Sequence, residues 1–134
     1  MAHSIQKCKG KSAVINDFDL LVIIGFAVEL ANQSPRFEKI RSLLDDWRAS
    51  LPMYGPGVIH LKLDQFARDP EAVRELRELL KLILLELSRY HEKIPAAVLN
   101  NELPVKGVTG VTFFDYKISF IAEAVEKIES LIGE

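Results

Sequence analysis

The sequence predicts an all-α fold: a compact multi-helix bundle with central hydrophobic helices and at most one very short strand pair. Three observations lead there. From Phe18 to Ala31 the chain is almost continuously apolar, so a helix there would have little polar face and belongs in the centre. Asp69-Pro70-Glu71 joins an N-cap, a first-turn proline and an acidic residue suited to the helix dipole. Ile118, Ile121, Val125, Ile128 and Ile132 recur at helical spacing. A chain of 134 residues fits one domain. Residues 1–12 are polar and aperiodic and read as a flexible N-terminal arm, leaving 13–134 as a single helical domain.

Each element follows in turn. Asn16 or Asp17 can cap the central helix, which runs to about Asn32. Ser34-Pro35 reads as the cap and first position of a helix to about Ala49, with Phe37, Ile40, Leu43, Leu44 and Trp47 on one stripe. Pro52, Gly55, Pro56 and Gly57 break the pattern and make a loop. Beyond it Ile59, Leu61 and Leu63 alternate with His60 and Lys62, as in a short extended strand. The helix opened by Asp69 runs to about Tyr90 on a seam of Val73, Leu76, Leu80, Ile83 and Leu87. Ile94-Pro95 ends that region and opens a short helical turn through Leu99. Residues 100–110 read as irregular and 108–114 as a second short strand, before a last helix from about Asp115 to Ile132 that Gly133 stops.

Composition narrows the function. A net charge of −2 gives no electrostatic drive toward nucleic acid, whose phosphates must be neutralised by Lys and Arg. The apolar run is opened by Asp17 and Asp19 and closed by Glu29, and it is shorter than the ~20 residues a spanning helix needs. That predicts no membrane partner and a cytoplasmic protein. Cys8, the single cysteine, cannot form an intramolecular disulfide. The flanking Lys7, Lys9 and Lys11 would lower a thiol pKa, but no positioned base accompanies it, so it reads as incidental. His3, His60 and His91 stand in no metal-ligand spacing, and Gly55-Pro56-Gly57 lacks the Lys-Ser/Thr pair of a phosphate loop. The sequence therefore predicts no catalytic residue, metal or cofactor, and no enzyme.

What remains is surface character. Asp45, Asp46, Asp64, Asp115, Glu123 and Glu126 give the folded body an acidic bias, either for solubility or as docking faces for a basic protein. Tyr54, in the breaker loop, is a candidate interface anchor beside them, as are Phe113, Phe114 and Tyr116 around the last loop. Two other readings stay open. One is a small-ligand or enzymatic pocket near Tyr54, His60 and Asn100. The other is a homo-oligomeric structural protein, because Phe18 to Ala31 and Leu79 to Leu85 carry more apolar surface than a small bundle can bury.

The layout over residues 56–132 also resembles the small immunity proteins that bacteria encode beside contact-dependent and other polymorphic toxins. Carrying the resemblance are Gly57-Val58-Ile59-His60-Leu61-Lys62-Leu63-Asp64 ahead of Asp69-Pro70-Glu71, the Leu-rich helix, Ile94-Pro95 with Val98-Leu99-Asn100, and the closing amphipathic helix. No site residue comes with it. The resemblance implies a cytoplasmic, non-enzymatic protein that binds a cognate toxin domain and blocks its active site or substrate path.

Overall fold

In the computed structural model the described residues are 2–50, 57–101 and 115–133. The chain starts not with an arm but with a hairpin. Strands β1 (His3–Cys8) and β2 (Lys11–Asn16) pair antiparallel, in a register that sets Ile5 opposite Val14 and Gln6 opposite Ala13. Lys9 and Gly10 join them with φ of 52° and 80°, the two positive values of a type I′ turn, whose twist matches the flanking strands. Ser4, Gln6 and Cys8 point inward and are buried, while His3, Ile5 and Lys7 face out.

The all-α expectation is therefore corrected to a mixed α/β architecture with small sheet content. A second antiparallel pair joins β3 (Lys93–Ile94) to β4 (Tyr116–Lys117). The alternation of β1 is hard to read because two of its three buried residues are polar.

The helices hold most of the core. Helix α1 (Asp17–Asn32) is capped by Asn16, whose Oδ1 accepts from the Phe18 amide at 2.8 Å. From Asp19 to Val28 every residue is buried, because α1 packs against α2 (Arg41–Ser50), α3 (Pro70–Leu87) and α5 (Ile118–Ile132) together. Asp69 Oδ1 accepts from the Glu71 and Ala72 amides and starts α3 where the sequence places it. Short helix α4 (Ala96–Asn101) follows β3, and Asp115 Oδ1 accepts from the Ala96 amide at 3.0 Å. Burying a Leu or Ile is worth about 1.5 to 3 kcal/mol, so the seams of α1, α3 and α5 carry the stability of the domain.

Helix α2 begins at Arg41, six residues later than expected. Ser34 Oγ does accept from the Arg36 amide, but tertiary partners then claim the chain. The Lys39 amide donates to the buried Glu75 carboxylate at 2.9 Å, and Arg41 donates to the carbonyls of Ala31 and Ser34. Phe37 and Ile40 still reach the core from this non-helical stretch.

The expected strand after the breaker loop keeps its alternation without a backbone ladder. Ile59, Leu61 and Leu63 are buried, and Val58, His60 and Lys62 are exposed. The segment runs alongside β1 in the same direction and is tied to it by side chains. Ser4 Oγ accepts from the Ile59 amide at 3.0 Å, and the Gln6 carboxamide donates to Ile59 O at 2.6 Å and accepts from Leu61 N at 2.9 Å. Trp47 Nε1 donates to Leu61 O at 2.8 Å from the far side. Asp17 closes one end by accepting from Gly57 N and Ser4 Oγ, and Asp64 closes the other by accepting from Lys9 N. The strand expected at 108–114 and most of the loop at 51–57 lie outside the described residues.

Candidate functional site

The hairpin organises most of the candidate residues. In a two-residue hairpin the residues flanking the turn exchange both backbone hydrogen bonds, and bonded and non-bonded pairs then alternate. Cys8 with Lys11, Gln6 with Ala13 and Ser4 with Ile15 are thus the bonded pairs. His3, Ile5 and Lys7 turn their backbone N–H and C=O groups away from β2. Two contacts agree with this phase: Asp17 N donates to Ala2 O at the next bonded position, and the outward carbonyl of Val14 accepts from Lys127 Nζ at 3.0 Å. Lys127 from the helical side thus caps the β2 edge at Val14, and Lys11 Nζ in turn reaches the Ser130 and Gly133 carbonyls at the end of α5.

The β1 edge is different. No backbone bond from the described residues reaches the outward groups of Ile5 or Lys7. Here the neighbouring segment is held one side-chain length away by Ser4 and Gln6, which leaves an open groove of about 430 Å³. His3, Ile5 and Lys7 line it from β1, and Gly57, His60 and Lys62 line it from the segment. Above it, Ile5 and Val14 form an apolar cross-strand pair on the outer face, 49% and 51% exposed.

Acidic candidates border this face on two sides. Asp46 pairs with Lys62 at 3.2 Å beside the groove, and Asp64 accepts from Lys9 N at the hairpin tip. Asp45 is exposed on the same helix as Asp46. On the other side Glu123 of α5 lines a small hollow of about 150 Å³ with His3, Asn16 and Lys127, and Glu126 is exposed nearby on α5. Asp115 stands apart at the start of α4, where it serves the Ala96 amide. Asp46, Asp64 and Asp115 are thus engaged within the fold, which was not legible from their residue type. Tyr54, Phe113 and Phe114 lie outside the described residues.

Of the pocket expected near Tyr54, His60 and Asn100, the described residues include His60 and Asn100 alone. His60 lines the groove on β1, whereas Asn100 sits on α4 and is not part of that lining. The apolar excess of Phe18 to Ala31 is accounted for by burial, and among the apolar residues from Leu79 to Leu85 only Leu85 is exposed, at 66%. No helix of the described residues is long and apolar enough to cross a membrane, and no metal-ligating cluster occurs among them.

One polar cluster escaped sequence reading. Tyr116 donates its hydroxyl to the buried Asp19 carboxylate at 2.5 Å, and its ring packs tilted against Phe18 and edge-on to Phe120, with centroids 4.6 and 5.7 Å away. Burial raises the Asp19 pKa, opposed by the Tyr116 bond and by Lys127. Burial and the Asp19 bond together push the Tyr116 phenol up. The pair keeps the phenol proton in place and ties the start of α1 to β4. Cys8 also departs from expectation: it is fully buried, and desolvation, followed by the Asp64 charge, raises its pKa against the pull of Lys9 and Lys11. That suits an inert thiol.

No protein-family model, curated protein or solved structure was found to match the chain.

Proposed function

We propose that the protein is a non-enzymatic interaction module, an immunity protein that binds a cognate bacterial toxin domain and occludes its active site or substrate path. One observation carries the reading. The outer face of the hairpin presents the apolar pair Ile5 and Val14 to solvent, and Asp46, Asp64 and Glu123 border that face. An apolar centre with a charged rim is how protein interfaces are built. Acidic residues on its two sides would speed the approach of a basic toxin.

The test is co-expression with the product of the adjacent upstream reading frame. Rescue of cells from a toxic neighbour, with a stable complex recovered, supports the proposal. A harmless neighbour and no protein partner contradict it. A second reading, a small anionic ligand, is favoured only by the Lys7, Lys62, His3 and His60 side chains around the groove. A thermal-shift screen of small anions tests it directly.

A further inference from the structure

We infer that the hollow between the open end of the hairpin, the start of α1 and the middle of α5 is an anchor site. A single arginine side chain of the partner protein fills it, its guanidinium meeting Asp19 and Glu123. The inference rests on the interaction-module reading and names the contact that would hold the partner.

The hollow measures about 150 Å³, and His3, Asn16, Asp19, Phe120, Glu123 and Lys127 stand in its wall. Asp19 is nine-tenths buried, and its Oδ1 is taken by the Tyr116 hydroxyl. Its Oδ2 accepts no hydrogen bond from the described residues and is not fully enclosed, so it opens on the hollow that the side chain lines. Lys127, the one lysine of the six, spends its ammonium on the Val14 carbonyl. No ion pair among the described residues engages Asp19 or Glu123.

Charge and size select the occupant. With His3 neutral, these six side chains carry two carboxylates against one ammonium, an excess that one monovalent cation cancels. Burial raises the Asp19 pKa by more than Tyr116 and Lys127 lower it, so the hydration this carboxylate loses is not fully replaced within the fold. A cation in the hollow supplies the remainder. A metal ion fits poorly, because no three ligating side chains converge among the described residues. A whole small molecule fits poorly too: its pockets start at about 300 Å³, and the hollow offers about half of that. A guanidinium has N–H groups enough to serve Asp19 on α1 and Glu123 on α5 together, and its flat face suits the Phe120 ring, which is 44% exposed. The site also continues the proposed docking face, since His3 and Asn16 are the next cross-strand pair beyond Ile5 and Val14.

The experiment uses the intact protein, labelled for amide NMR, and three probes at low salt and neutral pH: acetyl-arginine amide, acetyl-lysine amide and the neutral isostere acetyl-citrulline amide. The expected result is saturable shifts centred on Asp19, Phe120 and Glu123 with the arginine probe, and binding at least about tenfold weaker with citrulline. The lysine probe should bind about threefold more weakly than arginine, because its ammonium lacks the planar fork. Asp19→Asn, which keeps an acceptor for Tyr116, and the exposed Glu123→Gln should each weaken the arginine probe, by about tenfold and about threefold. In the complex recovered by co-expression, Asp19→Asn should speed dissociation and leave the association rate within about twofold, because the charge removed is buried. Equal binding of arginine and citrulline, tighter binding of lysine than of arginine, shifts on another surface, or indifference to both substitutions would each overturn the inference. So would the absence of saturable shifts by about 50 mM arginine probe, too weak for an anchor. Probe failure leaves the toxin-rescue assay standing, and rescue failure leaves the probe result standing, so the two proposals fail separately.

Discussion

Replacing Gln6 with Leu removes the carboxamide that joins β1 to its neighbouring segment while keeping the side chain's bulk. Gln6 is 2% exposed, and its two bonds go to the backbones of Ile59 and Leu61, themselves buried. Each bond contributes about 1 kcal/mol net, and each buried backbone group left without a partner costs about 1 to 3 kcal/mol. Burying the leucine returns about 1 kcal/mol, so Q6L should destabilise the domain by about 1 to 5 kcal/mol. For a chain of this size that lowers the melting temperature by about 10 °C. Lys7→Ala, one residue along on the outer face, is the control and should shift stability by no more than about 0.5 kcal/mol. Gln6→Glu adds a pH signature: the carboxylate still accepts from Leu61 N but cannot donate to Ile59 O, so it should be much less harmful in acid, where the protonated group regains a donor. Urea and thermal unfolding read all three. A Q6L protein within about 0.5 kcal/mol of wild type would refute the claim that side chains, not a backbone ladder, hold this segment.

Other expectations concern the remaining ties. Asp19 binds its proton more tightly folded than unfolded, so its contribution is greatest at pH below the usual carboxylate range and is lost as the pH rises through the raised value. Asp19→Asn keeps an acceptor for Tyr116 and should flatten that slope, with stability at neutral pH equal to or above wild type, whereas Tyr116→Phe should cost about 1 to 2 kcal/mol. Lys9, held at φ 52° in the turn, should gain about 0.5 to 1 kcal/mol on replacement by Asn, which tolerates that conformation better. Asp69→Ala removes the cap of α3 and should cost about 1 kcal/mol in a denaturant titration. Charge reversal at Asp45, Asp46 and Asp64, or at Glu123 and Glu126, should slow association with a basic toxin, more strongly at low salt; unchanged rates for both groups would contradict electrostatic docking.

The helices were legible because their signals are local. Asn16, Asp69 and Pro70 mark starts, and the apolar seams of α1, α3 and α5 repeat at helical period. The hairpin was not, because β1 buries Ser4 and Gln6, whose polarity is answered by a segment more than fifty residues away. Lys9-Gly10 was its one local mark, and its lysine hid the resemblance to the usual Asn-Gly turn. Helix α2 was placed too early for a related reason: Glu75 and Arg41 take up backbone groups around Ser34-Pro35 that a helix would have used. The acidic candidates were visible as residues, but their division between internal work and open surface depends on tertiary neighbours. Asp64 and Asp115 each serve a backbone amide far along the chain, while Glu126 stays exposed. The groove itself is a product of hairpin phase, and no spacing in the sequence encodes it.

Amide hydrogen exchange along residues 3–8, in the free protein and in the complex recovered by co-expression, tests the docking account most directly. The account predicts alternation in the free protein, with slow amides at Ser4, Gln6 and Cys8 and fast ones at Ile5 and Lys7, and protection of the fast pair when the partner binds. Ile5 and Lys7 amides as slow as Gln6 in the free protein, or unchanged in the complex, would contradict it.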